Sequence, residues 1–229
     1  MAWTATVHEH TFVMTFPELY RVLSWAPLGA GLTEARTVLN HQVNVNEVPS
    51  LEPELFLQVL AERLQLPGPV VGMMTGVLME RLVRQTVHTE NLTIECFATV
   101  GLSNALAVGE VATYEEVPGT INLIVAMNRS LLPATMVEAV QIVTEAKVRA
   151  LYEARVKSMV SDALATGTGT DCVAIACPTG EPAYRYCGKH TKLGEMIGRM
   201  VFDAVNVGIR KTGIGSSSES KWVRTPIDD

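Results

Sequence analysis

The sequence predicts an α+β (or mixed α/β) fold: a single domain in which a mixed β-sheet is packed by a long helix and a C-terminal helix. Three observations carry this. Strand-like and helix-like segments both occur, but without regular alternation, so a strict doubly wound sheet is disfavoured. Met136 to Leu164 contains no glycine or proline and repeats apolar residues at helical spacing. Thr191 to Val207 reads as a second good helix.

The elements follow in order. Val7 to Phe16 is rich in β-branched and aromatic residues and reads as a strand. Arg21 to Ala26 reads as a short second strand, stopped by Pro27 and the Gly29-Ala30-Gly31 turn. Thr37 to Val45 is β-like, and Pro49 and Pro53 punctuate the next connection. Glu54 to Leu64 is an amphipathic helix with Leu55, Val59, Leu60 and Leu64 on one stripe. Pro67-Gly68-Pro69 ends it, since proline cannot continue a helix. Val70 to Thr75 reads as a buried strand. Thr86 to Val100 is extended with a bend near Asn91, and Thr120 to Met127 is a buried strand. Thr135 and Glu138 have the spacing of a capping box at the start of the long helix. Thr166 to Asp171 stops that helix, and Val173 to Ala176 is a short buried strand. Residues 1–210 are expected to form the domain, and 211–229, with their glycines and serines, a flexible tail.

Composition narrows the function classes. The 229 residues can bury roughly 70% of the unfolded chain's surface. Charged residues are only 18% and mean hydropathy is +0.21, so the chain is not intrinsically disordered. The net charge is −6 and no basic block is present, which argues against a nucleic-acid partner. No apolar run approaches the ~18–20 residues of a membrane span, and the N-terminus has the wrong composition for a secretory signal. Four cysteines without a Cys-x-x-Cys pair point to a reduced, cytoplasmic protein. Cys172 and Cys177 would face opposite sides of a strand, and His8 with His10 gives too few ligands for zinc, so no metal site is expected. No cofactor is expected, with metal dependence left open, and a homo-oligomer is compatible with the sequence.

Three segments could carry chemistry. Gly167-Thr168-Gly169-Thr170-Asp171 follows a helix and precedes a strand, the reverse of the order a phosphate-binding loop needs. Asp171 is a candidate general base, or a turn cap. Gly169 and Thr170 could offer backbone N–H groups to an oxyanion, and Thr170 is also a candidate nucleophile. In Gly188-Lys189-His190-Thr191-Lys192-Leu193-Gly194-Glu195, Thr191 is a plausible N-cap. His190 stands at the loop–helix junction as a candidate base. Lys189 and Lys192 could donate a proton or bind substrate amides. Glu195 either orients His190 or joins an exposed ion-pair net with Lys192 and Arg199. Gly194 lies on a helix face with Gly198, and glycine there costs about 1 kcal/mol. Another backbone or a large flat ligand should approach that face. In Gly101-Leu102-Ser103-Asn104-Ala105, Ser103 is a candidate nucleophile and Asn104 a candidate oxyanion donor, although no Gly-x-Ser-x-Gly elbow surrounds the serine.

These segments occur in a telling order with three others: Leu23-Ser24-Trp25-Ala26-Pro27-Leu28, Leu39-Asn40-His41-Gln42-Val43 and Pro118-Gly119-Thr120-Ile121-Asn122. The string resembles the adenosylcobinamide amidohydrolase family over about residues 22–207. The resemblance implies a hydrolase that cleaves the amide between the aminopropanol arm and the corrin ring, giving adenosylcobyric acid in corrinoid salvage by prokaryotes. It implies a small-molecule corrinoid as the partner. One departure stands out: Gly29-Ala30-Gly31 replaces the Asn-Gly-Gly turn of the family. A corrinoid carrier without catalysis, and a self-processing amidohydrolase using Thr168 or Thr170, are the alternative readings.

Overall fold

The structure is a computed structural model that describes residues 3–44, 52–112, 118–181 and 184–213. The chain forms β1 (Thr4–His8), β2 (Thr11–Ser24), β3 (Gly31–Gln42), α1 (Pro53–Arg63) and β4 (Val70–Thr75). There follow β5 (Val83–His88), β6 (Thr93–Val100), β7 (Ala105–Leu106), β8 (Ile121–Met127) and α2 (Pro133–Glu153). Last come β9 (Gly167–Thr168), β10 (Cys172–Pro178) and α3 (Lys192–Lys211). The fold is α+β, with one mixed sheet in the order β4-β3-β2-β10-β8-β6-β5, β1 pairing beside β2, and a separate β7-β9 ribbon.

Period-2 alternation assigns the faces. In β8, Ile121, Leu123, Val125 and Met127 join the core beneath α2 and α3, while Ile124 and Ala126 face the other way. In β10, Cys177 faces the helices and Cys172 the opposite core, as their odd spacing requires. That second core is made by the sheet folding over itself. The first half of β2 pairs with β1, the second half with β10, and the register shifts between Thr15 and Tyr20. Pro17 sits in this irregularity, where its missing N–H breaks no ladder. Phe12 thereby reaches Phe97, with ring centroids 4.5 Å apart, and Trp3 Nε1 donates to Glu95 Oε2 at 2.8 Å. α1 covers the outer side of β3 and β4 with Leu57, Leu60 and Ala61, which meet Leu39.

Several sequence expectations shift. The two N-terminal strands become β1 and a single long β2, because the turn falls at Glu9 (φ 50°) and the chain runs on past Pro17. On α1 the buried face is Leu57, Leu60 and Ala61, so Leu55 and Val59 are exposed. The long helix stops at Glu153, eleven residues early. Arg155 takes a left-handed conformation (φ 53°), with Val156 N–H bonded to Leu151 O and Arg155 N–H to Tyr152 O. This is a Schellman stop, and buried Leu151 and Val156 belong to one core. No capping box forms: Leu132 is the N-cap, Thr135 Oγ1 donates to Arg185 O at 2.7 Å, and Glu138 Oε2 accepts from Cys187 N–H at 2.5 Å. Thr191 does cap α3, accepting from Gly194 N–H at 3.0 Å. α3 takes in Lys211, and the rest of the expected tail, from 214, lies outside the described residues. The Gly29 position has φ 74°, and a Cβ there would lie 2.7 Å from Val70 O, so this turn suits glycine.

His41 lies between the layers, within 2.8 Å of Thr11 Oγ1 and 5.5 Å from the Phe56 ring. Burial pushes its pKa down to about 4, with the charges of Arg63 and His10 adding to the effect. The unfolded chain therefore takes up this proton first. Stability from the neutral ring is complete above pH 6.5 and is lost as pH falls through 4. Between pH 7 and 4.5 the urea midpoint of His41→Gln should drop by roughly 0.5 M less than that of the wild type, after discounting for partial exposure. Equal drops in the two proteins would contradict this.

Candidate active site

Register brings five of the six sequence segments together. β10 and β8 run parallel with Cys172 opposite Asn122, so Thr170-Asp171 lies beside Thr120-Ile121. β6 ends with Val100 opposite Ile121, which delivers Gly101 to Asn104 to the same edge. β2 runs antiparallel to β10, and Trp25, just past its end, donates from Nε1 to Asp171 O at 2.7 Å. Asn40 of β3 reaches across the inner core. Its Nδ2 donates to Thr99 Oγ1 at 3.0 Å, and its Oδ1 accepts from Asn122 Nδ2 at 2.9 Å.

Asp171 is the hub. Its Oδ1 accepts from Thr168 Oγ1 at 2.5 Å and from Ile121 N–H at 3.2 Å, and its Oδ2 forms an ion pair with Lys147. Both charged side chains are nearly buried, at 10% and 12% exposure. Gly167 makes room for the pair, since a Cβ there would lie 2.7 Å from Lys147 Nζ and closer still to Asp171 Oδ2. The sequence reading missed Lys147. The available signal was its place on the buried stripe of α2, four residues from both Val143 and Leu151.

Above the ion pair are two exposed hydroxyls. Ser103 Oγ donates to Pro118 O, and Thr170 Oγ1 lies within 3.5 Å of Gly119 O. Gly119 has φ 139°, and a Cβ there would lie 2.5 Å from Ser103 Oγ and 2.8 Å from Asn104 N. Asn104 is buried against Gly169, whose N–H donates to Asn104 O at 3.2 Å. A Cβ at 169 would meet Asn104 Nδ2 at 2.8 Å. Thr120 Oγ1 donates to Thr170 O at 2.8 Å and lies 3.3 Å from Asn122 Oδ1. Asn122 Nδ2 also donates to Met74 O at 2.8 Å. A buried polar network thus fixes the backbone of residues 169–171 from beneath, leaving the hydroxyls outermost.

The sixth segment lies elsewhere. β10 carries the chain seven residues away from Asp171, about 20 Å at ~3.3 Å per residue. Residues 184–187 then pack against the start of α2. Lys189 pairs with Glu145 at 2.6 Å and Lys192 with Glu195 at 3.0 Å, all four side chains well exposed. Glu145 is two residues from Lys147, and residues so spaced do not share a helix face. His190 is exposed beside Gly188. Gly194 is buried, and a Cβ there would meet Cys187 O at 2.6 Å and Gly188 O closer still. The close approach expected on that helix face is made by the chain's own backbone. Asp171 with Lys147, and the exposed set of Lys189, His190, Lys192 and Glu195, therefore form two separate groups.

Exposed hydroxyls, backbone amides and a buried lysine–carboxylate pair supply what acyl transfer from an amide requires: an attacking oxygen, donors for an oxyanion and a fixed charge field. Among the described residues, no three His, Cys, Asp or Glu side chains converge to hold a metal ion, and no helix is long and apolar enough to cross a membrane.

An uncharacterized protein of Methanocaldococcus jannaschii is 29% identical over 217 residues, covering 83% of this chain and 82% of that one. The adenosylcobinamide amidohydrolase of Methanosarcina mazei is 27% identical over 195 residues, covering 81% of this chain and 88% of its own. Among solved structures, a Burkholderia β-aminopeptidase superposes with a TM-score of 0.47 at 14% identity, covering 90% of this chain and 80% of that one. The family model for adenosylcobinamide amidohydrolase matches residues 2–215. The chain belongs to the adenosylcobinamide amidohydrolase family, and it is a hydrolase of a linear amide bond with a corrinoid as its substrate class.

Proposed function

We propose that the protein hydrolyses the amide linking aminopropanol to the corrin ring of adenosylcobinamide, releasing adenosylcobyric acid and aminopropanol. The observation that carries this reading is the meeting of five family segments around Asp171. A hydroxyl of the exposed rim, Ser103 or Thr170, attacks the acyl carbon. The C–N bond breaks, the amine leaves with a proton, and water cleaves the resulting ester. The Asn104 side chain and the Thr170 N–H stabilise the oxyanion, the Gly169 N–H being spent on Asn104 O. The Lys147–Asp171 pair holds Thr168 and the backbone of residue 121 in place and keeps a positive charge below the reacting carbonyl. The reaction as proposed uses no metal. The 188–195 segment, with His190, Lys189, Lys192, Gly194 and Glu195, takes no direct part in it.

The test is aminopropanol release from adenosylcobinamide, with and without chelator. Ser103→Ala or Thr170→Val should lower turnover about 100-fold or more, and His190→Ala should leave it within about threefold. Near wild-type release in both hydroxyl variants would overturn the covalent route, and a collapse in His190→Ala would return the base to the loop before α3. One observation favours a second reading. Thr168 Oγ1 touches the carboxylate that holds Lys147, as a self-processing threonine nucleophile would need. Its product would be a chain cut before Thr168, whereas a single intact mass of 24.8 kDa argues for the first reading.

A further inference from the structure

We propose that the lobe formed by residues 105–112 and 156–166 seats the corrin ring, with Val108, Val111, Met159 and Val160 lying against the macrocycle. This deepens the reading above and rests on cobinamide being the substrate. The lobe is a pair of loops fastened by one carboxylate. Glu110 accepts from Ala107 N–H at 2.7 Å, from Ser158 Oγ at 2.8 Å and from Ser161 Oγ. Flanking that fastening on both loops are exposed apolar side chains: Val108 at 86% exposure, Val111 at 89%, Met159 at 64% and Val160 at 49%. Single exposed apolar residues are ordinary, but several around one fixed point mark a binding surface.

The lobe is continuous with the hydroxyl rim. Met159 N–H donates to Ala105 O at 2.8 Å, and Ala105 follows Asn104 and pairs with Thr168 across the β7-β9 ribbon. Val108 N–H donates to Thr166 Oγ1 at 2.8 Å. The scissile amide hangs from the corrin by one side arm, so the ring must lie beside the reacting carbon. This lobe joins the rim directly through both strands of the ribbon. Its surface suits the ligand. The Glu110 oxygens are taken by Ala107 N–H and the two serines, and Lys157 pairs with Asp162 at 3.1 Å, so the four apolar side chains are left to meet a ring fringed with methyl groups and amides.

The experiment is equilibrium dialysis with cobinamide, followed by the corrinoid's visible absorbance. The Val111→Asn/Met159→Gln double variant is expected to bind at least tenfold more weakly than wild type. Both side chains are exposed, so the urea midpoint should be unchanged. Val137→Asn, at an exposed apolar site on α2, should bind like wild type. Unchanged affinity in the double variant, or an equal loss in Val137→Asn, overturns the proposal. Aminopropanol release by the wild type is scored separately. Binding lost in the double variant without any release by the wild type would keep the lobe and remove the proposed reaction.

Discussion

Lys147→Met should cost about 3–5 kcal/mol of folding stability, because it leaves Asp171 charged and nearly buried with no cation. The expected rescue is specific. Adding Asp171→Asn should restore about 2 kcal/mol, since an amide oxygen still accepts from Thr168 Oγ1 and Ile121 N–H while the orphaned charge is gone. Urea unfolding of the wild type, both single variants and the double variant closes the cycle. A double variant less stable than Lys147→Met alone would show that the two side chains are not coupled as drawn. Turnover is expected to fall about 100-fold or more in all three variants, so stability and catalysis separate in the double one.

Asn122→Leu is the second large effect. The substitution keeps the side-chain size but strips Asn40 Oδ1 and Met74 O of their donor and Thr120 Oγ1 of one partner. Asn40, Thr99, Thr120 and Asn122 are all buried, so solvent cannot replace what is lost. At about 1–3 kcal/mol per orphaned group, the variant should lose roughly 3–5 kcal/mol by urea denaturation. The same network holds Thr170 O through Thr120, so turnover should fall as well. A loss under about 1 kcal/mol would mean that water enters between the layers and this joint is not dry.

What was legible in the sequence was local. Val70 to Thr75 reads as a strand because its apolar run is short and bounded by Pro69 and Gly76, and β4 has those limits. Thr191 reads as an N-cap from its type and place, and it is one. The early stop of α2 was not legible, because an arginine in a left-handed C′ position leaves no compositional trace. Asp171, Thr170, Gly169, Ser103 and Asn104 were singled out by residue type, and they meet. Lys147 was hidden inside a helix, and only the three-dimensional position of α2 over β10 brings it to Asp171. His190 is close to Asp171 along the chain, but an intervening strand carries it to the far end of the sheet, which chain distance alone does not reveal.

The order of the sheet has a consequence for how the protein is made. Among the described residues β10 is the last strand synthesised, yet it lies between β2 and β8. Ser24 waits for Ala174, roughly 150 residues later, which is about 8–30 s at ribosomal elongation rates of about 5–20 residues per second. During that interval the emerging polypeptide carries two unpaired inner strand edges, the kind that recruit other chains. Chaperone demand should therefore peak shortly before β10 emerges. A nascent chain arrested before residue 172 should be a far better chaperone client than one arrested after 213.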